Sequence, residues 1–466
     1  MSAGRRIALA ALAPAACLPA GQALAHASQR GYVLLLPTGY YLAGGALAVA
    51  ASFAALALLN PRRLQNLLGL RLPLGRVPDR WRFAASLASF LLLAVLVAAG
   101  FLGSRDPLSN PLPLVVWSLL WVGLTIVQGV FGNLWRWLDP WYAPWRMLSP
   151  WAGRAPLKPP AWLGCWPAVA LFLAFVWFEL IDPAPDDPYR LAVAVGLYWL
   201  ATFAAMLALG HAEWSRRGEF LSVFFGLIAR LGMVERTPDG RLLLALPGGK
   251  LAGAPALSLP AMTLLLVALA SVSFDGLSQT FFWLGLNGVN PLELPGRTAL
   301  TGINGVGLAL ACLLLGGLFL LCVWLGERMG GGERTLPAAG LLVWSIAPIA
   351  LAYHVAHYLT VLLVDAQYAL VAISDPFSRG WNLFGTAYMP VRAAVAAGSD
   401  AAWTIWNVQA AAIVGGHVVA VVAAHLLAAR LHPCRRAALV SQVPLNALMI
   451  AYTVFGLWLL SSPAAG

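Results

Sequence analysis

Ten runs of mainly apolar residues, each about as long as the ~20 residues a helix needs to cross a bilayer, constrain this chain more than anything else in it. They fall near 40–59, 83–103, 112–130, 162–181, 190–210, 260–283, 301–325, 337–364, 404–430 and 439–460. Inside hydrocarbon no water satisfies backbone groups, so each run is expected to be helical, and the fold class is an all-α polytopic transmembrane bundle. Proline marks the edges at Pro61, Pro111, Pro183, Pro260 and Pro337, where helices start or stop. With 61% of 466 residues apolar and 10% charged, a soluble globular enzyme is excluded. The net charge of +11 is dispersed among the apolar runs, which points to membrane topology and not to nucleic-acid binding.

Residues 1–25 combine Arg5 and Arg6, a short apolar run broken by Pro14 and Pro19, and Ala23-Leu24-Ala25, the pattern of a cleavable signal peptide. Cleavage there leaves His26 as the mature N-terminus, and residues 26–466 as one transmembrane domain. A terminal amine beside its own imidazole is a copper chelator, which makes His26 a candidate metal ligand. Short cytoplasmic loops retain Lys and Arg. With the mature N-terminus outside, 21 basic residues fall in inner loops and six in outer ones (Arg30, Arg105, Arg190, Arg297, Arg379 and Arg392). The charge alternation therefore predicts that both mature termini lie outside, on the periplasmic side. Two inner segments, 133–151 and 218–233, mix Trp or Phe with Arg as interfacial segments do, and the second is expected to lie as a helix on the cytoplasmic face. No convincing internal repeat is visible. The five cysteines show no CxxC spacing, so neither a zinc knuckle nor a disulfide framework is indicated.

Ionisable side chains within spans are costly unless paired or hydrated, so each is a functional candidate. They are Glu179 in the fourth span, Asp275 with Ser273 and Gln279 in the sixth, His354, His357 and a terminal Asp365 in the eighth, and Gln409, His417 and His425 in the ninth. At a rise of ~1.5 Å per residue, Glu179, Asp275, His357 and Gln409 lie toward the periplasmic side, His417 lies near the middle and His425 deeper. His357 on one helix, His417 on the next and the Asp275 carboxylate are candidate ligands of a divalent transition metal, zinc or copper. A haem held by axial histidines is a further option. His417 and His425 are eight residues apart, about 80° around a helix, and do not suit one ion. For each histidine alone, an interhelical hydrogen bond is the competing reading. No GxSxG, Walker A or HExxH motif occurs.

Several strings occur together: Ser273-Phe274-Asp275-Gly276 with Gln279, Ala350-Leu351-Ala352-Tyr353 leading to Ala356-His357-Tyr358, Ser374-Asp375-Pro376, Gly416-His417-Val418, Ser441-Gln442, and Gly456-Leu457-Trp458-Leu459-Leu460-Ser461. In these the chain resembles a bacterial family of polytopic membrane proteins often named fenitrothion hydrolase, from Ala25-His26 to its end. The resemblance implies an inner-membrane protein that hydrolyses an organophosphorus triester, with Asp275, His357, His417 and His425 as matched polar positions and an apolar residue at the position of His354. Three functions follow for the same residues. In the first, a metal held by Asp275, His357 and His417 supplies a hydroxide to a lipophilic small-molecule substrate arriving through the lipid bilayer. In the second, the residues form a site that transports or handles a metal ion or small solute. In the third, the histidines bind haem for electron transfer.

Overall fold

The computed structural model describes residues 38–151, 157–293, 296–395 and 398–463. The expected signal peptide and His26 lie outside them. Ten helices among the described residues are long and apolar enough to span a membrane: α1 (Thr38–Leu58), α2 (Arg80–Leu102), α3 (Pro111–Phe131), α4 (Ala161–Leu180), α5 (Pro188–Leu209), α6 (Leu259–Ser278), α7 (Arg297–Gly330), α8 (Thr335–Ser374), α9 (Ser399–Leu431) and α10 (Arg435–Ser461). The chain is an all-α, multi-pass membrane protein, with one span for each of the ten runs. Their starts follow local chemistry. Asn110 and Asp187 cap α3 and α5 by accepting from the amides of Leu112 and Arg190, each followed at once by a proline that has no N–H to leave unpaired.

The bundle has a protein core as well as a lipid face. In α6 and α8 78% of the most apolar window is buried, against 17% in α1 and 22% in α2 and α5, so α6 and α8 form the centre. Around them, α8 packs on α9 and α3, α6 on α7 and α4, and α1 against α9 and α10, while α2 and α5 pair at the periphery. Gly416 on α9 sits so close to α8 that a Cβ would meet the side chain of Ala352 and the carbonyl of Pro348. Close backbone approach substitutes for the hydrophobic drive that lipid cannot supply.

The links that carry most of the basic residues share one end of the bundle. β1 (Arg71–Arg76) from the α1–α2 link pairs antiparallel with β3 (Arg241–Ala245) from the α5–α6 link, and β3 with β2 (Val234–Arg236), giving the order β1-β3-β2. At the same end, Arg82 reaches the carbonyl of Arg136, and Asp139 binds His211 at 2.6 Å.

Three expectations are corrected here. The eighth span does not stop at Asp365 but continues to Ser374, because Ala366 to Ile373 prolong the apolar helix. The segment expected to lie on the surface at 218–233 is instead drawn inward. The helix Phe220–Ile228 buries Phe220, Leu221, Phe224, Phe225, Leu227 and Ile228, with Phe224 stacked on Phe172 and tilted over Trp121. Its aromatic face is broad enough to be claimed by the bundle interior on more than one side. The third concerns the other interfacial segment, where Trp135 and Trp141 are buried in the bundle while Leu134, Leu138, Met147 and Leu148 stay exposed.

Candidate functional site

The site lies at the end of the bundle opposite the sheet, where α3, α4, α6, α7 and α8 converge. Asp275 stands one turn from the end of α6, and its Oδ2 is 2.8 Å from Nε2 of His357 on α8. The hydroxyl of Tyr358, the next residue, is 2.9 Å from the same Oδ2 and 3.0 Å from Oε1 of Glu179, in the last turn of α4. Gln279 donates from Nε2 to Asp275 Oδ1 at 3.2 Å, one helical turn away. Arg297 opens α7 and donates to the carbonyl of Glu179 at 2.9 Å, so a cation caps the carbonyl end of α4 and fixes the height at which Glu179 enters. Asp365, on the face of α8 two turns beyond His357, accepts from Ser118 of α3 at 2.8 Å.

These groups line a cavity of about 110 Å³ together with Trp117, Trp121, Asp186 and Val361. Four carboxyl groups (Glu179, Asp186, Asp275 and Asp365) meet one guanidinium and one imidazole there, so the chamber is acid-rich. Its α3 wall is π-helical from Leu114 to Leu124. π-turns are frequent at functional sites, and this segment brings Trp117 and Trp121 to the chamber.

The structure brings Asp275 and His357 into contact and leaves His417 and His425 apart from them. His417 donates from Nδ1 to the carbonyl of Ile413 in its own helix, 2.9 Å away, between the rings of Tyr353 and Tyr452. His425, further along α9, lies against Gln442 of α10. Among the described residues no three of His, Cys, Asp and Glu are grouped to hold a metal ion. The expected Asp275–His357–His417 metal site is therefore not assembled, because the rise of α9 carries His417 to a different height and its ring is spent on its own backbone. In the haem reading His357 would have to exchange its Nε2 contact with Asp275 for the iron. His354 bonds the carbonyl of Trp121 at 3.1 Å and Gln409 donates to the carbonyl of Ala356 at 2.7 Å, both interhelical contacts.

Three participants, Tyr358, Arg297 and Asp186, were not singled out from sequence. Tyr358 carries no charge, and its only signal is adjacency to His357. Arg297 counted as one more loop cation, although its position directly before an apolar run is where a side chain reaches a neighbouring helix end. The fold and site define a multi-pass membrane protein with a polar, acid-rich chamber between its central helices. No family model, curated protein or solved structure matches this chain.

Proposed function

We propose that the protein binds a small cation in this chamber in exchange for a proton, as a step in moving the cation across the membrane. By the charge asymmetry of its loops, the chamber opens to the periplasm of a bacterial inner membrane. One observation carries the reading: a single hydroxyl, that of Tyr358, lies between the carboxyl groups of Asp275 and Glu179. One O–H supplies one proton, and two carboxylates facing it in a low-dielectric site repel each other. The pair is stable when it holds a further proton or a cation, and exchange between the two is the chemistry such a pair performs. Asp186 and Asp365 at the chamber wall favour entry of positive charge. His357 fixes the orientation of Asp275 and gives the leaving proton a base. Among the described residues no set of three ligands is grouped for a resident metal, and in this reading a metal ion enters as cargo.

The test is proton release from purified protein in weakly buffered detergent on addition of ammonium, methylammonium or a divalent metal ion. Release in the wild type and its loss in Asp275→Asn and Glu179→Gln is the expected result. If no cation displaces a proton, the proposal fails.

A second reading rests on the 2.8 Å Asp275–His357 contact, which is also the geometry of an oriented general base. In it, His357 takes a proton from water attacking a neutral organophosphorus triester, the activity that the sequence resemblance implies. Nitrophenol release from such a triester, unaffected by chelator and abolished in His357→Ala, would favour it over cation exchange.

A further inference from the structure

Beyond the chamber, a file of buried polar side chains runs along the α8–α9–α10 interface toward the sheet end. Tyr353 lies one turn below His357 on α8 and bonds the carbonyl of Tyr452, whose own hydroxyl is 2.6 Å from Ser273 Oγ. His417 follows, with no exposed surface and with Nε2 lacking any partner. Its Nδ1 is held to its own helix, so Nε2 is on the opposite edge of the ring. About 12 Å further along α9 comes His425, beside the Gln442 side chain but with neither ring nitrogen in a hydrogen bond of normal geometry. Opposite stand Gln442 and Asn446 on α10. Gln442 Nε2 donates to the Ala438 carbonyl at 2.5 Å and Asn446 Nδ2 to the Gln442 carbonyl at 2.9 Å. Those acceptors can only face amide nitrogens, which fixes Gln442 Oε1 and Asn446 Oδ1 as buried oxygens without donors. The file ends at Glu327 Oε1 and His432 Nε2, 3.2 Å apart at the sheet end of α7 and α9.

Unpaired acceptors this deeply buried are satisfied by water. We propose that His417, His425, Gln442 and Asn446, joined by bound water, conduct protons between the Asp275–His357 cluster and the arginine-rich face. The inference rests on the proton-exchange function proposed above and supplies its inner half. At each imidazole one N–H forms as one O–H of a neighbouring protonated water breaks, and the proton then passes on to the next water with no redox change. At His417 uptake and release are both at Nε2, because Nδ1–H stays bonded to the Ile413 carbonyl, and the Gln442 and Asn446 oxygens orient the waters. The groups facing the file suit passage without trapping charge. Tyr353 and Tyr452 flank His417, and Cys312 of α7 faces Tyr452. Arg435 approaches His425, and the Glu327–His432 pair lies beyond it.

The test uses the full-length protein in liposomes with an internal pH dye and a valinomycin-clamped potassium gradient. Proton flux above that of protein-free vesicles is expected in the wild type, falling at least tenfold in His417→Leu and in His425→Leu. Cation-evoked proton release in detergent is expected to persist in both variants. His417→Gln separates conduction from folding: it restores a hydrogen-bonding edge without a ring that takes up and passes on a proton, so its flux stays low while it elutes as a folded monodisperse protein. Wild-type flux in His417→Gln, or release without any flux in the wild type, overturns the conduction proposal alone. Absence of release and flux together overturns the exchange function as well.

Discussion

Asp275 and His357 are 82 positions apart in the chain, and their side chains meet at 2.8 Å across the α6–α8 interface. The two helices that carry them are also the most deeply buried of the ten. The bundle therefore spends its best-packed interface on holding a carboxylate against an imidazole, with Tyr358 donating to the same oxygen and Gln279 to the other. Removing one partner leaves the other without its main contact in a medium that does not replace it. Asp275→Ala is expected to cost about 1–3 kcal/mol of stability and to abolish proton exchange. Unfolding in mixed detergent micelles measures the first, and a pH-indicating dye the second.

Tyr358→Phe deletes the hydroxyl shared by Asp275 and Glu179 and keeps the ring. If the three groups act as one unit, losses are not additive. The double variant Tyr358→Phe/Glu179→Gln is expected to be more stable than the sum of the single changes by about 0.5–3 kcal/mol. Additive losses in the same unfolding assay would mean that the groups are independent.

The spans were legible because lipid imposes one solution on the backbone, and a run of apolar residues reports it directly. Depth was legible too: counting residues from Pro260 and Ser399 places Asp275 near one end of its helix and His417 near the middle of its own. Convergence was not legible. Whether His357 faces Asp275 or His417 depends on the rotation of α8, which is set by contacts such as Gly416 against Ala352 and Pro348. The inward course of Phe220–Ile228 was hidden for a related reason. A helix with an aromatic face looks the same in sequence whether its partner is lipid or Phe172 and Trp121.

Glu219 starts that inward helix and is fully buried. Its carboxylate accepts from the amides of Leu221 and Ser222, from Trp135 Nε1 and from the Tyr198 hydroxyl. Burial pushes its pKa up, with Asp139 adding to the rise, and bonds from Ser222 and Tyr198 oppose it. Glu219→Gln relieves the buried charge but turns an amide nitrogen toward donors. Four donors outweigh one charge, so a loss of about 1–3 kcal/mol is expected. Protease cleavage within 218–233 is expected to quicken in that variant, and unchanged cleavage would show that the cap is dispensable.

Lys250, at the sheet end, donates to the carbonyls of Ala229 at 2.7 Å and Val234 at 3.1 Å. Burial first, and the cations Arg230 and Arg71 next, bring its ammonium from 10.5 down to about 8, with Glu235 opposing. A lysine whose folded pKa is depressed binds fewer protons than in the unfolded chain between those two values. Its contribution to stability therefore rises with pH across the window from about 8 to 10.5 and is unfavourable below it. The same shift leaves a neutral, nucleophilic amine near pH 8. Acetylation of Lys250 by an acid anhydride, followed by mass spectrometry, is expected to show a midpoint near pH 8. In Glu235→Gln, where the opposing negative charge is gone, the midpoint is expected lower still. A midpoint near 10.5 in the folded protein would mean that Nζ is solvated, and that the contacts to Ala229 and Val234 do not hold it against the sheet.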